Sequence, residues 1–235
     1  MCGIFCSLST RVPVQPSEDI RERLECRGPD SENSIQPEAG DSACHVTLCS
    51  TVLSLRGSHV TGQPYQDAEG KYVLCWNGEA WCIDGKSGIE DDTASVHKLL
   101  SFAMEDPTDF KPDRCGYQCA DRIASTLSCV AGPYAFVFLD RERSHLYFGR
   151  DFLGRRSLCW KRTSEGDIIL CSVTDGISSG GWQEIEADGI YFLDLKRLDT
   201  SSITGGSRSP LNSIAERVPY EFRGDCASVC FSPLV

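Results

Sequence analysis

The chain has 235 residues, of which 40% are hydrophobic and 24% charged, and it carries a net charge of -11. That length suits one large domain, or one domain plus a tail, of ordinary globular composition. The acidic balance argues against a nucleic-acid or anionic-membrane surface as partner, because both would repel it.

The chain opens Met-Cys-Gly-Ile-Phe-Cys, with no basic stretch leading into an apolar run, so no secretion signal is expected there. No segment approaches the roughly 18 apolar residues a membrane helix needs, and the expected location is cytoplasmic. The 14 cysteines are numerous. Without a secretion signal they read as buried small hydrophobes or free thiols rather than disulfides. Cys115 and Cys119, and Cys226 and Cys230, are paired at a spacing wider than zinc sites usually show, so no metal is expected.

In chain order, residues 2–9 predict a strand. Ser17 predicts an N-cap for a helix over 18–27, with Ile20 and Leu24 on one face. The alternating stretch 44–56 predicts a strand ending at Gly57, and 71–76 another, stopped by the turn pair Asn77-Gly78. Val96, Leu99, Leu100 and Ala103 after Asp92 have the spacing of one helical face. A further helix is predicted over 119–130. Strand-like runs follow at 134–139, 145–149, 157–161, 167–173 and 190–195, separated by short turns as in antiparallel sheet. Clustered strands with few helices predict an α+β fold with packed sheets. The predicted domain covers 1–199. Residues 200–235, rich in Ser, Thr and Gly at their start, read as a linker or disordered tail.

Position 2 carries the most chemistry. With Met1 removed, Cys2 presents a thiol and an α-amine on one residue. The amine titrates near ~7.7–8.0 and the thiol near ~8.5 when unperturbed. The amine can therefore take the thiol proton, so that nucleophile and base share a residue. The plain alternative is a cysteine there by chance in a cysteine-rich chain.

Several short motifs then occur in a specific order: Met1-Cys2-Gly3-Ile4, Arg27-Gly28-Pro29-Asp30, Gly62-Gln63-Pro64, Trp76-Asn77-Gly78-Glu79, Asp91-Asp92-Thr93, Gly132-Pro133-Tyr134-Ala135-Phe136 and Arg150-Asp151-Phe152-Leu153-Gly154. Together, over 1–195, they resemble the class II glutamine amidotransferases. Within these, the likeness is to the amidotransferase half of asparagine synthetase and of asparagine synthetase domain-containing proteins. The resemblance implies a four-layer αββα sandwich of the N-terminal-nucleophile hydrolase type. It implies hydrolysis of glutamine to glutamate and ammonia through a Cys2 thioester. Asn77 and the Gly78 N–H would hold the oxyanion, and Asp92 would bind the substrate amine. Leu53, Leu55, Arg56 and Glu79 would complete the glutamine site. For Asn77-Gly78 and Asp92 there are plainer roles, a hairpin turn and a helix N-cap.

Two departures stand out. Val52 occupies the position at which asparagine synthetases place the arginine that holds the substrate carboxylate. Arg56 is the expected substitute: on a continuous strand it would share a face with Val52, though roughly 13 Å away at ~3.3 Å per residue. Second, no counterpart of the ATP-pyrophosphatase domain of asparagine synthetase is expected within these 235 residues. Ser179-Gly180-Gly181 lacks the Asp-Ser that would complete its phosphate loop and reads as a turn, and Gly205-Gly206-Ser207 as linker. No metal or cofactor is expected for the hydrolytic step; ATP and Mg would belong to the synthetase domain. The expected partners are glutamine and a synthetase domain, in cis or in trans, as ammonia acceptor. The competing readings are an inactive amidotransferase-like module acting through protein interaction, and an N-terminal-cysteine hydrolase for another amide.

Overall fold

The computed structural model describes residues 1–105, 115–176, 180–198, 211 and 214–220. Strand β1 (Gly3–Ser9) is followed by helix α1 (Glu18–Arg27), β2 (Ser31–Ile35) and β3 (His45–Val52). Then come β4 (Tyr65–Gln66), β5 (Tyr72–Gly78), β6 (Cys82–Ile83) and β7 (Lys86–Ser87). Helices α2 (Asp92–Glu105) and α3 (Cys115–Leu127) precede β8 (Val130–Ala131), β9 (Tyr134–Asp140) and β10 (His145–Arg150). The last strands are β11 (Cys159–Arg162), β12 (Ile168–Cys171), β13 (Gln183–Glu184), β14 (Gly189–Asp194) and β15 (Glu216–Pro219).

Two six-stranded sheets form, in the orders β13-β11-β12-β1-β3-β2 and β15-β14-β10-β9-β5-β4, beside a small sheet β7-β6-β8. The side-chain alternation of each strand explains the layering. Ile4, Cys6 and Leu8 of β1 face Val73 and Cys75 of β5 and Ala135, Val137 and Leu139 of β9 in the core between the sheets. The intervening Phe5 packs on Ile20 and Leu24 of α1. Leu74 and Trp76 face the other way, onto Val96 and Leu100 of α2 and Ile123 of α3. The result is helix, sheet, sheet, helices: the expected αββα sandwich. Cys6, Cys44, Cys49, Cys75 and Cys171 are buried free thiols, used as small apolar groups.

Four local expectations change. Strand β3 ends at Val52 rather than near Gly57. The Asp30 amide takes the Val52 carbonyl at 3.0 Å and the Asp30 carboxylate takes the Ser54 amide at 2.7 Å, which turns the chain out of the sheet. Asn77 and Gly78 are not a turn. They complete β5 and pair with Ala135 and Tyr134 of β9, the sheet ladder overriding local turn preference. Ser17 sits at the start of α1, but its side chain makes no capping hydrogen bond. The third helix begins at Cys115 and stops at Leu127.

The stretch read as linker or tail contains β15, which pairs Val218 with Ile190 of β14. Leu211 and Ala215 join the core between the sheets. Residues 199–210, 212–213 and 221–235, with Gly205-Gly206-Ser207, Cys226 and Cys230, lie outside the described residues, as does Ser179. Among the described residues no helix is long and apolar enough to cross a membrane, and no group of three or more His, Cys, Asp or Glu could hold a metal.

Candidate functional site

One cleft opens where the N-terminal end of β1 meets the C-terminal ends of β3 and β5. Its lining includes all the residues singled out by sequence: Cys2, Leu53, Leu55, Arg56, Asn77, Gly78, Glu79 and Asp92. Val52 lines it as well.

Cys2 is buried at the head of β1. Its thiol faces the Leu53 carbonyl at 3.9 Å, and its own carbonyl accepts from Arg27 Nε at 3.1 Å. Burial pushes the thiol above the usual cysteine range, with Asp92 adding to the effect, while the Leu53 contact, the terminal ammonium and Arg27 oppose it. Met1 is in place, and its ammonium donates to the Arg27 carbonyl at 3.2 Å. Burial lowers that ammonium, and Arg27 and Arg156 lower it further. The arginine of the Arg27-Gly28-Pro29-Asp30 segment thus holds the Cys2 backbone, and its aspartate holds the 53–56 segment.

Gly3 packs tightly. A Cβ there would lie 2.5 Å from Thr51 Oγ1 and 2.8 Å from Leu24 Cδ2, so this glycine lets α1 close onto the sheet.

Asn77 is fully buried, and neither its amide nitrogen nor its amide oxygen has a partner among the described residues. Buried amides are normally satisfied, because an orphaned polar group costs about 1–3 kcal/mol. An orphaned amide on the wall of a cleft shared with a cysteine is therefore a candidate ligand contact. Gly78 follows in the strand, where a Cβ would meet Tyr134 Cβ at 2.7 Å and the Pro133 carbonyl at 2.8 Å.

Asp92 is not the N-cap of α2. Asp91 is: its Oδ1 accepts the Ala94 amide at 2.9 Å, and its Oδ2 accepts Thr61 Oγ1 at 2.6 Å. Asp92 instead turns toward β5. Its Oδ2 accepts the Ala80 amide at 3.0 Å and the Trp76 indole N–H at 3.3 Å. Burial raises its carboxyl above the usual range; those two hydrogen bonds and Arg56 pull the other way. Gln63 ties the same corner together, accepting the Trp76 amide at 2.7 Å and donating to Thr93 Oγ1 at 3.2 Å.

Arg56 reaches the cleft by a different route from the one expected. Since β3 stops at Val52, positions 52 and 56 share no strand face; the 53–56 segment leaves the sheet and carries Arg56 into the lining. Its Nη1 is 3.4 Å from the Ala80 carbonyl and its Nη2 is 3.7 Å from Glu79 Oε2. Leu55 lines the cleft too but is largely exposed.

Arg156 is the residue that sequence reasoning missed. The Asp151 carboxylate accepts Tyr134 N at 3.1 Å and Arg155 Nε at 2.8 Å, folding the turn after β10 against β9. This delivers Arg156 to the cleft, where its Nη2 donates to Glu79 Oε1 at 2.9 Å. The one available signal was the basic doublet Arg155-Arg156 after Gly154 in an acidic chain.

Comparison with known proteins places the chain in a family. A family model described as a glutamine amidotransferase domain matches residues 50–178. Asparagine synthetase domain-containing protein 1 of Bos taurus is 35% identical over 86% of this chain and 30% of its own length. The Homo sapiens protein of the same name is 32% identical over 83% of this chain and 29% of its own. The chain thus matches less than a third of the length of these relatives. Among solved structures, glutamine phosphoribosylpyrophosphate amidotransferase from B. subtilis superposes with a TM-score of 0.55 at 14% identity, over 94% of this chain and 50% of the other, which is a likeness of fold. The chain belongs to the glutamine amidotransferase domain family.

Proposed function

We propose that this member of the glutamine amidotransferase domain family hydrolyses glutamine to glutamate and ammonia through a thioester on Cys2, once Met1 is removed. The observation that carries the reading is the orphaned Asn77 amide in the same cleft as Cys2 and Asp92. The freed α-amine of Cys2 takes the thiol proton. The sulfur attacks the substrate's side-chain carbonyl, and the Asn77 amide and the Gly78 N–H stabilise the oxyanion. Collapse of that intermediate breaks the C–N bond, with the proton passing to the leaving nitrogen, so ammonia departs. Water then attacks the thioester, glutamate leaves and the thiol is restored. Asp92 takes the substrate ammonium and the arginines of the cleft its carboxylate. No metal or cofactor enters these steps.

The ammonia would serve a synthetase-type acceptor, in cis or in trans, in an asparagine-synthetase-like reaction in the cytoplasm. This rests on the likeness to proteins whose names carry the asparagine synthetase domain. ATP and Mg would act on that acceptor's side.

One observation favours a second reading, a weakened or inactive module acting through protein contacts. Val52, buried on the cleft wall, cannot pair a carboxylate. Glutamate release from glutamine by Met1-processed protein, with Cys2→Ala as control, separates the two. Cys2-dependent release supports the hydrolase. Its absence, with processing confirmed by mass spectrometry, supports the second reading.

A further inference from the structure

Two guanidinium groups converge on one carboxylate in the cleft. Arg156 Nη2 donates to Glu79 Oε1 at 2.9 Å, and Arg56 Nη2 stands 3.7 Å from Glu79 Oε2. Glu79 carries one negative charge, so the trio keeps a net positive charge beside the nucleophile. The two arginines are held differently. Arg56 sits on the segment beyond β3 with a third of its side chain exposed, and its contact with Glu79 is too long for a hydrogen bond. The Arg156 side chain is 16% exposed. Its backbone carbonyl is pinned by Arg150 Nε at 2.7 Å. Arg156 is therefore the more preorganised of the two.

Arg156 also keeps donors without a strong acceptor. Its Nε is buried without an acceptor among the described residues. Its Nη1 faces the thioether sulfur of Met1 at 3.1 Å, a weak acceptor in place of a strong one. Arg27 Nη2 approaches the same sulfur at 3.9 Å. A guanidinium fork suits a planar carboxylate far better than a thioether. Met1 itself lines the cleft.

We propose that the Met1 side chain occupies the subsite for the α-carboxylate of the amino-acid substrate, and that loss of Met1 uncovers Arg156 as the main cation of that subsite. This rests on the glutamine reading of the cleft. It gives the cation missing at Val52 a source on a different element, and it gives Glu79 a positioning role between the two arginines. Removal of Met1 is hydrolysis by a methionine-specific aminopeptidase. Water cleaves the Met1–Cys2 bond, its hydroxyl goes to the methionine carboxyl, and a proton goes to the Cys2 nitrogen. One cut thereby frees the catalytic amine and opens the carboxylate subsite.

The test is calorimetric titration of Cys2→Ser protein, before and after aminopeptidase treatment, with glutamine and with 4-aminobutanamide, which is glutamine without its carboxylate. In processed protein, Arg156→Ala is expected to weaken glutamine about 10–100-fold, the range of a lost charge-assisted hydrogen bond, and to leave 4-aminobutanamide unchanged. Arg156→Lys, which keeps the charge and the packing, should recover part of the loss. Arg56→Ala should cost less than Arg156→Ala. Protein that retains Met1 should not bind glutamine. The proposal is overturned if Arg156→Ala weakens both ligands equally, if glutamine is unaffected by it, if Arg56→Ala gives the larger carboxylate-specific loss, or if Met1-retaining protein binds glutamine as well as processed protein. Glutamate release by the Cys2 protein is read in parallel. Release combined with equal losses defeats the subsite alone, and the expected binding pattern without release defeats the hydrolytic reading alone.

Discussion

The carboxylate of Asp92 accepts the indole N–H of Trp76 at 3.3 Å, binding the first turn of α2 to the strand that carries Asn77. The group assigned to the substrate ammonium and the group assigned to the oxyanion are therefore placed by one piece of structure, with the adjoining Asp91 left to cap the helix.

Asp92→Asn removes the charge and keeps an acceptor. The glutamine KM should rise about 10–100-fold, as for other lost charge-assisted contacts, with kcat less affected. Burial raises this carboxyl in the folded state, so the folded protein holds the proton to higher pH than the unfolded chain. Stability then falls as pH rises through the carboxylate range. Asp92→Asn should consequently melt higher than the parent at neutral pH, with the gap closing in acid. Melting curves across pH check the sign.

Asn77→Ala should lower kcat by about 10²–10³, the usual loss for one oxyanion donor, with little change in KM. Because both amide atoms lack partners among the described residues, the melting temperature should hold or rise. Steady-state kinetics and calorimetry on the same sample would reveal whether activity and stability separate in this way. A large stability loss would contradict the assignment.

Cys2 should alkylate slowly at neutral pH while Met1 is present, because burial holds its thiol above the usual range. Its labelling rate should climb as pH is raised, and at fixed pH it should increase once Met1 is removed. Mass-resolved labelling follows Cys2 among the other thiols.

Gly78→Ala would drive a Cβ into Tyr134 Cβ and the Pro133 carbonyl, at 2.7 Å and 2.8 Å. Relief requires the β5–β9 pairing to shift, at a cost of roughly 1–3 kcal/mol, typical of overpacking. The Gly78 N–H proposed for the oxyanion would move with it, so both the melting temperature and kcat should fall.

Arg56→Ala should raise the glutamine KM severalfold, with kcat less affected, since its guanidinium lies near Asp92 and Glu79. An unchanged KM would remove Arg56 from the substrate site.

Short apolar runs bounded by turn residues, together with motif order, carried most of the architecture. Strands β1, β5, β9, β10 and β14 are legible as short, mostly apolar runs because nearly every residue in them is buried, one face against each neighbouring layer. Short edge strands such as β4, β13 and β15 were not legible, because two to four residues hold no period and their pairing partners lie far away in the chain. β15 was hidden further by the Ser- and Gly-rich residues before it.

The sequence by itself determined that a cysteine stands at position 2, that Val52 carries no charge, and that the family's motifs occur in order, since each is a matter of residue identity at a position. The tertiary structure alone decided which of these groups meet. It ended β3 at Val52 through Asp30, transferred the capping of α2 to Asp91, and left the Asn77 amide without a partner. It also brought Arg156, from the turn after β10, onto Glu79 at the end of β5. Most of these outcomes depend on hydrogen bonds and packing between segments a dozen to many tens of residues apart, which no local pattern of residues specifies.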